Sequence, residues 1–239
     1  MIILSSGGNG RFCNELLRIN DVKYSHTIFA LSKDEMNVSS LDEIEDAIDR
    51  HDPDIFIHAG AITSPMIQHE NSPNLSIISN IIGTANVTIA CMKKNIKLIY
   101  LSTDYVYPGD TGNYKESDPI NPVNKYAWSK LGGECSVLMY DNSLVLRLSM
   151  TPRPFSHDSA IVDSYKSSIY IDDAAEICFK LLDQSGIINV GGQSQSIYEF
   201  AKASNKNIGK IYLKDINSIN MAKNSTMNLE KLEGILKDD

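Results

Sequence analysis

Three short stretches of this 239-residue chain carry side chains whose types and spacing could do chemistry. Tyr126 and Lys130, in YAWSK, stand at i and i+4, which puts a phenol and an ammonium on one face of a helix. A nearby ammonium favours the phenolate and lowers the phenol pKa from its usual value of about 10. Such a pair can pass a proton to or from a carbonyl or alcohol oxygen near neutral pH. Thr103, in LSTDYVYPG, ends an apolar run, where a strand-end hydroxyl can hydrogen-bond a reacting oxygen. Near the start, GGNGRFC puts Gly7 and Gly10 at the first two positions of a G-x-x-G-x-x-G turn, with Cys13 at the third. Gly7 would allow the tight turn and Gly10 a close backbone approach to a pyrophosphate, with a helix N-terminus adding positive dipole. Singly, each stretch also has a plain reading: a glycine-rich turn, a solvated lysine near a half-buried tyrosine, a turn threonine.

The elements that must position these residues alternate. Apolar β-type runs fall at 1–5, 26–31, 54–60, 97–102 and 144–149. Helical spacing falls between them, at 10–19, from Ser40 to about Arg50, at 74–93 and around Tyr126 and Lys130. Ser40 with Glu43 completes an S-x-x-E cap. The long helix has apolar positions at Leu75, Ile78, Ile82, Val87 and Cys91. Strands apolar on both faces and spaced by helices predict an α/β fold with a doubly wound parallel sheet, its ligands at the carboxyl ends of the strands. After residue 150 the pattern weakens. Residues 151–168 read as a loop, 172–182 as an amphipathic helix, IINVGG as a short strand, IYEFAKA as a short helix and LEKLEGIL as a last one. The expected organisation is a core over 1–150 and a small lobe over 151–239, interleaved with the core and not folding independently.

The bulk numbers narrow the partners. A net charge of −8 without a basic run argues against nucleic acid and gives no attraction to anionic membranes. No apolar stretch approaches the length of a spanning helix, and the glycine cluster cuts short any leader-like run after Met1. Cys13, Cys91, Cys135 and Cys178 are far apart and read as reduced, buried residues of a cytoplasmic protein. His51, His58, His69 and His157 lack metal-ligand spacing, so no metal is expected. His58 reads as packing and Glu15 as a surface carboxylate.

In order and in register with the βα alternation, GGNGRFCNEL, DPDIFIHAGAIT, SNIIGTANV, the long stretch from LSTDYVYPG to NPVNKYAWSK, LRLS, SIYIDDAAE and INVGG resemble the extended short-chain dehydrogenase/reductase family. Within it they resemble the dTDP-4-dehydrorhamnose reductase branch. The resemblance implies a Rossmann fold and NAD(P)H-dependent reduction of a nucleotide-activated 4-keto-6-deoxysugar for surface polysaccharide synthesis. It makes Thr103, Tyr126 and Lys130 the catalytic set, Tyr126 giving a proton to the keto oxygen and Lys130 holding the nicotinamide ribose. Gly7, Asn9, Gly10, Arg11 and Phe12 would line the pyrophosphate. Ala59, Gly60 and Ala61 would pass the cofactor closely, Asn80 would stand near it, and Asp104 and Tyr105 would face the sugar. Arg147 follows a family arginine of structural role. The second strand ends at Leu31-Ser32-Lys33 with no acid before Asp34, and Ser32 and Lys33 suit a 2′-phosphate, which points to NADPH over NADH. A homodimer is also expected.

Two features depart from the family pattern: Cys13 in the glycine loop and the shortness of the region after Arg147. The alternative readings are a related epimerase or dehydratase using bound NAD⁺, and a non-catalytic regulatory subunit such as the family supplies to methionine adenosyltransferase. Asp104-Tyr105 after Thr103, where dehydratases carry Asp-Glu, favours the reductase.

Overall fold

The computed structural model describes residues 1–237. Six parallel strands form the centre: β1 (Ile2–Ser6), β2 (Thr27–Leu31), β3 (Ile55–His58), β4 (Lys97–Thr103), β5 (Ser143–Leu148) and β6 (Gly186–Val190). Their order is β6-β5-β4-β3-β1-β2, so the winding reverses between β1 and β3. That reversal opens a crevice at the carboxyl ends of the strands.

Side chains alternate across the sheet and split the core in two. Ile3, Ile55, Ile57, Ile99, Leu101, Leu144 and Leu146 point to one face, with Phe12, Leu16 and Ile19 of α1 (Arg11–Lys23) packed on them. Leu4, Phe56, Leu98, Tyr100 and Val145 point to the other. There they meet Ile44 and Ile48 of α2 (Leu41–His51), Val87 and Cys91 of α3 (Pro73–Lys94) and Val137 of α4 (Lys125–Val137). The first face is completed from the far end of the chain. Cys178 and Phe179 of α5 (Ile171–Lys180) and Ile188 of β6 lie in the same cluster, as does Leu232, two positions into a terminal helix at Glu230–Lys237. Residues 171–190 thus build the sheet layer, while 151–170 and 191–229 form the lobe beside it.

Several expectations change in detail. Ser40 Oγ accepts from the Glu43 amide at 3.3 Å, but the Glu43 carboxylate accepts from the Asn37 amide instead of closing the box on Ser40. Leu75, Ile78 and Ile82 of α3 are exposed, whereas Val87 and Cys91 are buried. The cause is a π-helical stretch at Ile77–Ile82, whose wider turn breaks the 3.6-residue period, so the first half of α3 flanks the crevice instead of covering the sheet. By length and composition Pro73–Lys94 could cross a membrane, but its second half is packed on the sheet. Cys135 is exposed, unlike Cys13, Cys91 and Cys178. The loop at 151–168 carries short ladders: Met150–Thr151 pairs with Ile169–Tyr170, Ser159–Ile161 with Gly209–Ile211, and Tyr165–Lys166 with Gln195–Ser196.

Candidate active site

The turn between β1 and α1 has the shape its glycines permit. Gly7 adopts φ +81°, and a Cβ there would stand 3.0 Å from the backbone of Ala59 and Gly60. A side chain at Gly8 would run into the Ala30 carbonyl at 2.3 Å, and the Gly10 amide donates to the Gly7 carbonyl at 2.7 Å. Cys13 does not intrude. Its Sγ is buried 3.3 Å from Ser5 Oγ, packed on β1 beneath the turn, and burial pushes the thiol pKa up. A small residue is all that the helix–strand approach needs here.

In front of this turn lies a cavity of about 370 Å³ lined by Gly7, Asn9, Gly10, Lys33, Ala59, Gly60 and Ala61. Met36, Asn37, Val38, Ser39, Ile62, Leu75, Ile78 and Ser79 complete its wall. The bare glycine backbone at a helix N-terminus suits a pyrophosphate, and the apolar wall suits a nucleoside. Other candidates are placed differently. Arg11 is exposed at the first turn of α1, and the Phe12 side chain is buried in the core under the sheet, which leaves only its backbone for a ligand. The Ser32 amide and hydroxyl both donate to the Glu35 carboxylate, at 2.8 and 2.7 Å, so that hydroxyl is engaged. Asn80 is a buried clamp. It accepts from the Ile62 amide at 2.8 Å and donates to the Ile62 carbonyl and to Ser129 Oγ, tying α3 to the β3 loop and α4.

The other candidate residues sit at the end of β4 and in the first turns of α4. β4 delivers Thr103, whose Oγ accepts from the Tyr105 amide and donates to Asp104 Oδ1, both at 3.3 Å. Asn124 caps α4 by accepting from the Ala127 amide at 2.9 Å, which fixes Tyr126 in the first turn. The Tyr126 phenol lies near enough to Thr103 for the threonine hydroxyl to draw its pKa down, and the His69 ring lies 5.1 Å from its ring. Lys130 Nζ lies buried 4.2 Å above the Tyr100 ring.

The electrostatics reverse the sequence expectation. Burial dominates at Tyr126 and, with Asp104, pushes its pKa up to about 12, while Thr103 and Lys166 pull the other way. Burial also brings Lys130 down to about 7, against the pull of Glu134. Desolvation disfavours the charged form of each partner, and it outweighs their i,i+4 proximity.

Asp104 and Tyr105 are enclosed, not open to a ligand cleft. Asp104 pairs with Lys166 Nζ at 2.9 Å and accepts from Ser225 Oγ at 2.6 Å. Tyr105 packs among Ala127 and Ala222, its hydroxyl 3.7 Å from Met221 Sδ. Arg147 has the structural part expected: Nη2 meets Glu134 Oε1 at 2.6 Å, and Nη1 donates to the Tyr107 hydroxyl at 2.8 Å. His58 bridges Ser6 and Thr84 and is held neutral by burial, its pKa near 3. Glu15 pairs with Arg18 on the surface. Sequence reasoning missed Glu35, Lys166 and Ser225. Glu35 sits only four residues past β2, next to Asp34; the other two lie in aperiodic segments that carry no signal.

A glycine-lined crevice at the switch point of a six-stranded parallel sheet covered on both faces defines a doubly wound Rossmann-type α/β protein. The chain belongs to the family described as the RmlD substrate binding domain, whose model matches residues 1–151. It is 30% identical over 151 residues to a dTDP-4-dehydrorhamnose reductase of Aggregatibacter actinomycetemcomitans, covering 62% of this chain and 51% of that protein. It is 28% identical over 224 residues to the spore coat polysaccharide biosynthesis protein SpsK of Bacillus subtilis, covering 84% and 77%. The chain therefore spans about half the length of the first of these relatives. The fold superposes with TM-score 0.87 on a dTDP-4-dehydrorhamnose reductase of Bacillus anthracis solved with NADP, at 24% identity over 97% of this chain and 90% of that one.

Proposed function

We propose that this protein is an NADPH-dependent reductase of a nucleotide-activated 4-keto-6-deoxysugar. The observation that carries the reading is the Tyr126 phenol of α4 brought near Thr103 at the end of β4, in a sheet whose first turn has no room for a Cβ at Gly7 or Gly8. The cofactor fits the residues present: Gly7 and Gly10 bring bare backbone to the wall of the cavity at the N-terminus of α1, where a pyrophosphate could approach it. Gly7, Asn9 and Gly10 would hold the pyrophosphate, and Lys33 a 2′-phosphate. Bound NADPH supplies the hydride for the carbonyl carbon.

The remaining chemistry belongs to the chain. Thr103 orients the keto oxygen through its hydroxyl. Tyr126 gives that oxygen its proton as negative charge develops there; a phenol held well above neutral stays protonated for this task. Lys130, poised near neutrality in a buried site, takes up a full charge where ribose hydroxyls replace the water it lacks. The His69 ring packs against Tyr126.

The test is a titration of the purified protein with NADPH and NADH, followed by turnover of dTDP-4-dehydrorhamnose. Saturable binding and consumption of NADPH are expected. A protein that binds neither nucleotide is not an oxidoreductase.

A further inference from the structure

Lys166 belongs to no motif, yet with Ser225 it ties the lobe to Asp104, the residue after Thr103. We propose that Lys166 is a positioning residue of this site: its ammonium neutralises Asp104 and so leaves Thr103 and Tyr126 free to serve the reacting oxygen.

Asp104 directly follows Thr103 and is almost wholly buried. Lys166 Nζ lies 2.9 Å from one of its carboxylate oxygens and 3.2 Å from the other. The same ammonium sits 3.5 Å above the centre of the Tyr105 ring. Ser225 Oγ donates to Oδ2 and Thr103 Oγ to Oδ1. Asp104 therefore competes for the Thr103 proton with the reacting oxygen and with the phenolate that Tyr126 becomes.

A bare carboxylate at this place would obstruct the reaction twice. Its charge would oppose a phenolate nearby, since like charges in a buried site disfavour one another. It would also hold the Thr103 hydroxyl as its own donor. A full counter-charge weakens both effects. The pairing with Asp104 more than offsets burial and keeps Lys166 protonated through the neutral and alkaline range. Lys130 cannot take this part, because it lies over Tyr100 on the Glu134 side and is held near neutrality. The groups facing Tyr126 are then Thr103, Asp104 and Tyr105 from β4 and its turn, His69 from the segment before α3, and Lys166 from the lobe, while Lys130, one turn along α4, faces Tyr100 and Glu134.

The carrier of Lys166 is fixed on two sides, as a positioning role requires. Tyr165–Lys166 pairs antiparallel with Gln195–Ser196. On the other side the Tyr165 amide donates to the Lys223 carbonyl at 2.9 Å, and the Ser225 amide donates to the Tyr165 carbonyl at 3.0 Å.

The inference rests on the reductase reading, and its test separates the two. Turnover of dTDP-4-dehydrorhamnose with NADPH is followed from neutral to alkaline pH for wild type, Lys166→Met, Lys166→Arg and the double variant Lys166→Met with Asp104→Asn. Lys166→Met lowers kcat roughly tenfold or more at neutral pH and moves the alkaline limb up by about one pH unit, because Tyr126 becomes a weaker acid. NADPH affinity stays unchanged. Lys166→Arg recovers most of the activity, and Asp104→Asn in the Lys166→Met background returns the limb toward wild type. A lowered kcat with an unmoved limb, or a limb that Asp104→Asn does not return, overturns the proposal and makes the pair a mere anchor for the lobe. If wild type turns over nothing, the reductase reading falls, and a second readout judges Lys166 alone. Proteins carrying difluorotyrosine are titrated by ¹⁹F NMR, with Tyr126 assigned by Tyr126→Phe. Its phenol titrates higher in Lys166→Met and returns in the double variant; an identical midpoint in all three refutes the role.

Discussion

Replacing Lys130 by Met reverses a cost that the fold now carries. The Lys130 ammonium is buried over Tyr100, and its pKa falls from 10.5 to about 7. Between those values the unfolded chain binds the proton that the folded protein sheds. Stability therefore rises with pH through this window, and below about 7 the full penalty applies. A shift of this size is worth on the order of 5 kcal/mol at its limit, at 1.36 kcal/mol per pKa unit. Between pH 7 and pH 9 linkage gives a gain of about 2 kcal/mol for wild type. Met fills the same space with no charge to desolvate. Urea denaturation of the nucleotide-free protein at those two pH values measures the effect. Lys130→Met is expected to be the more stable protein at pH 7, and its lead shrinks by about 2 kcal/mol at pH 9. The comparison cancels every other titrating group that the two proteins share. Parallel pH dependences would refute the reasoning, because they would mean that Lys130 is hydrated and ordinary in the folded state.

Three further outcomes are expected. Tyr126→Phe abolishes turnover while NADPH titrates as in wild type; retained turnover would remove Tyr126 from the chemistry. The bonds from Ser32 hold the Glu35 carboxyl below its usual range, so it is ionised at neutral pH and sits beside the Lys33 expected to hold a 2′-phosphate. Glu35→Gln therefore raises the ratio of NADPH to NADH affinity several-fold, and an unchanged ratio in parallel titrations would place Glu35 away from the ribose. Arg147→Met strands the buried Glu134 carboxylate and costs roughly 3–5 kcal/mol of unfolding free energy, read by denaturant melts; a loss below 1 kcal/mol would show that Glu134 takes up a proton there at little cost.

The sheet was legible because its information is local. Five of the six strands of the central sheet are runs such as KLIYLS, apolar on both faces between helical stretches, and period and length suffice to place them. The glycine turn was legible for the same reason, since Gly7 carries a positive φ that few other residues tolerate. What stayed hidden depends on pairing across the chain. The π turn at Ile77–Ile82 leaves no mark in composition, and it moved Leu75 and Ile78 from the sheet to the wall of the cavity. The i,i+4 spacing of Tyr126 and Lys130 was legible as one turn of α4, but desolvation, a property of the assembled core, set their proton affinities. Asp104 looked like a ligand to the sugar because it directly follows Thr103 in the motif, while its partners, Lys166 and Ser225, lie 62 and 121 residues away.

The last of those distances has a consequence for biosynthesis. As the chain leaves the ribosome, the glycine turn and the first five strands are available long before residue 225, and they can pair as they emerge. A nascent chain stopped near residue 190 already has all six strands of the sheet and every residue of the cavity wall. Yet its Asp104 lacks Ser225, and Lys166 lacks the segment that flanks Tyr165. The cavity wall can thus be complete during synthesis before the surroundings of Asp104 are, with the final stretch of the lobe acting as the latch that closes over Asp104 and Lys166.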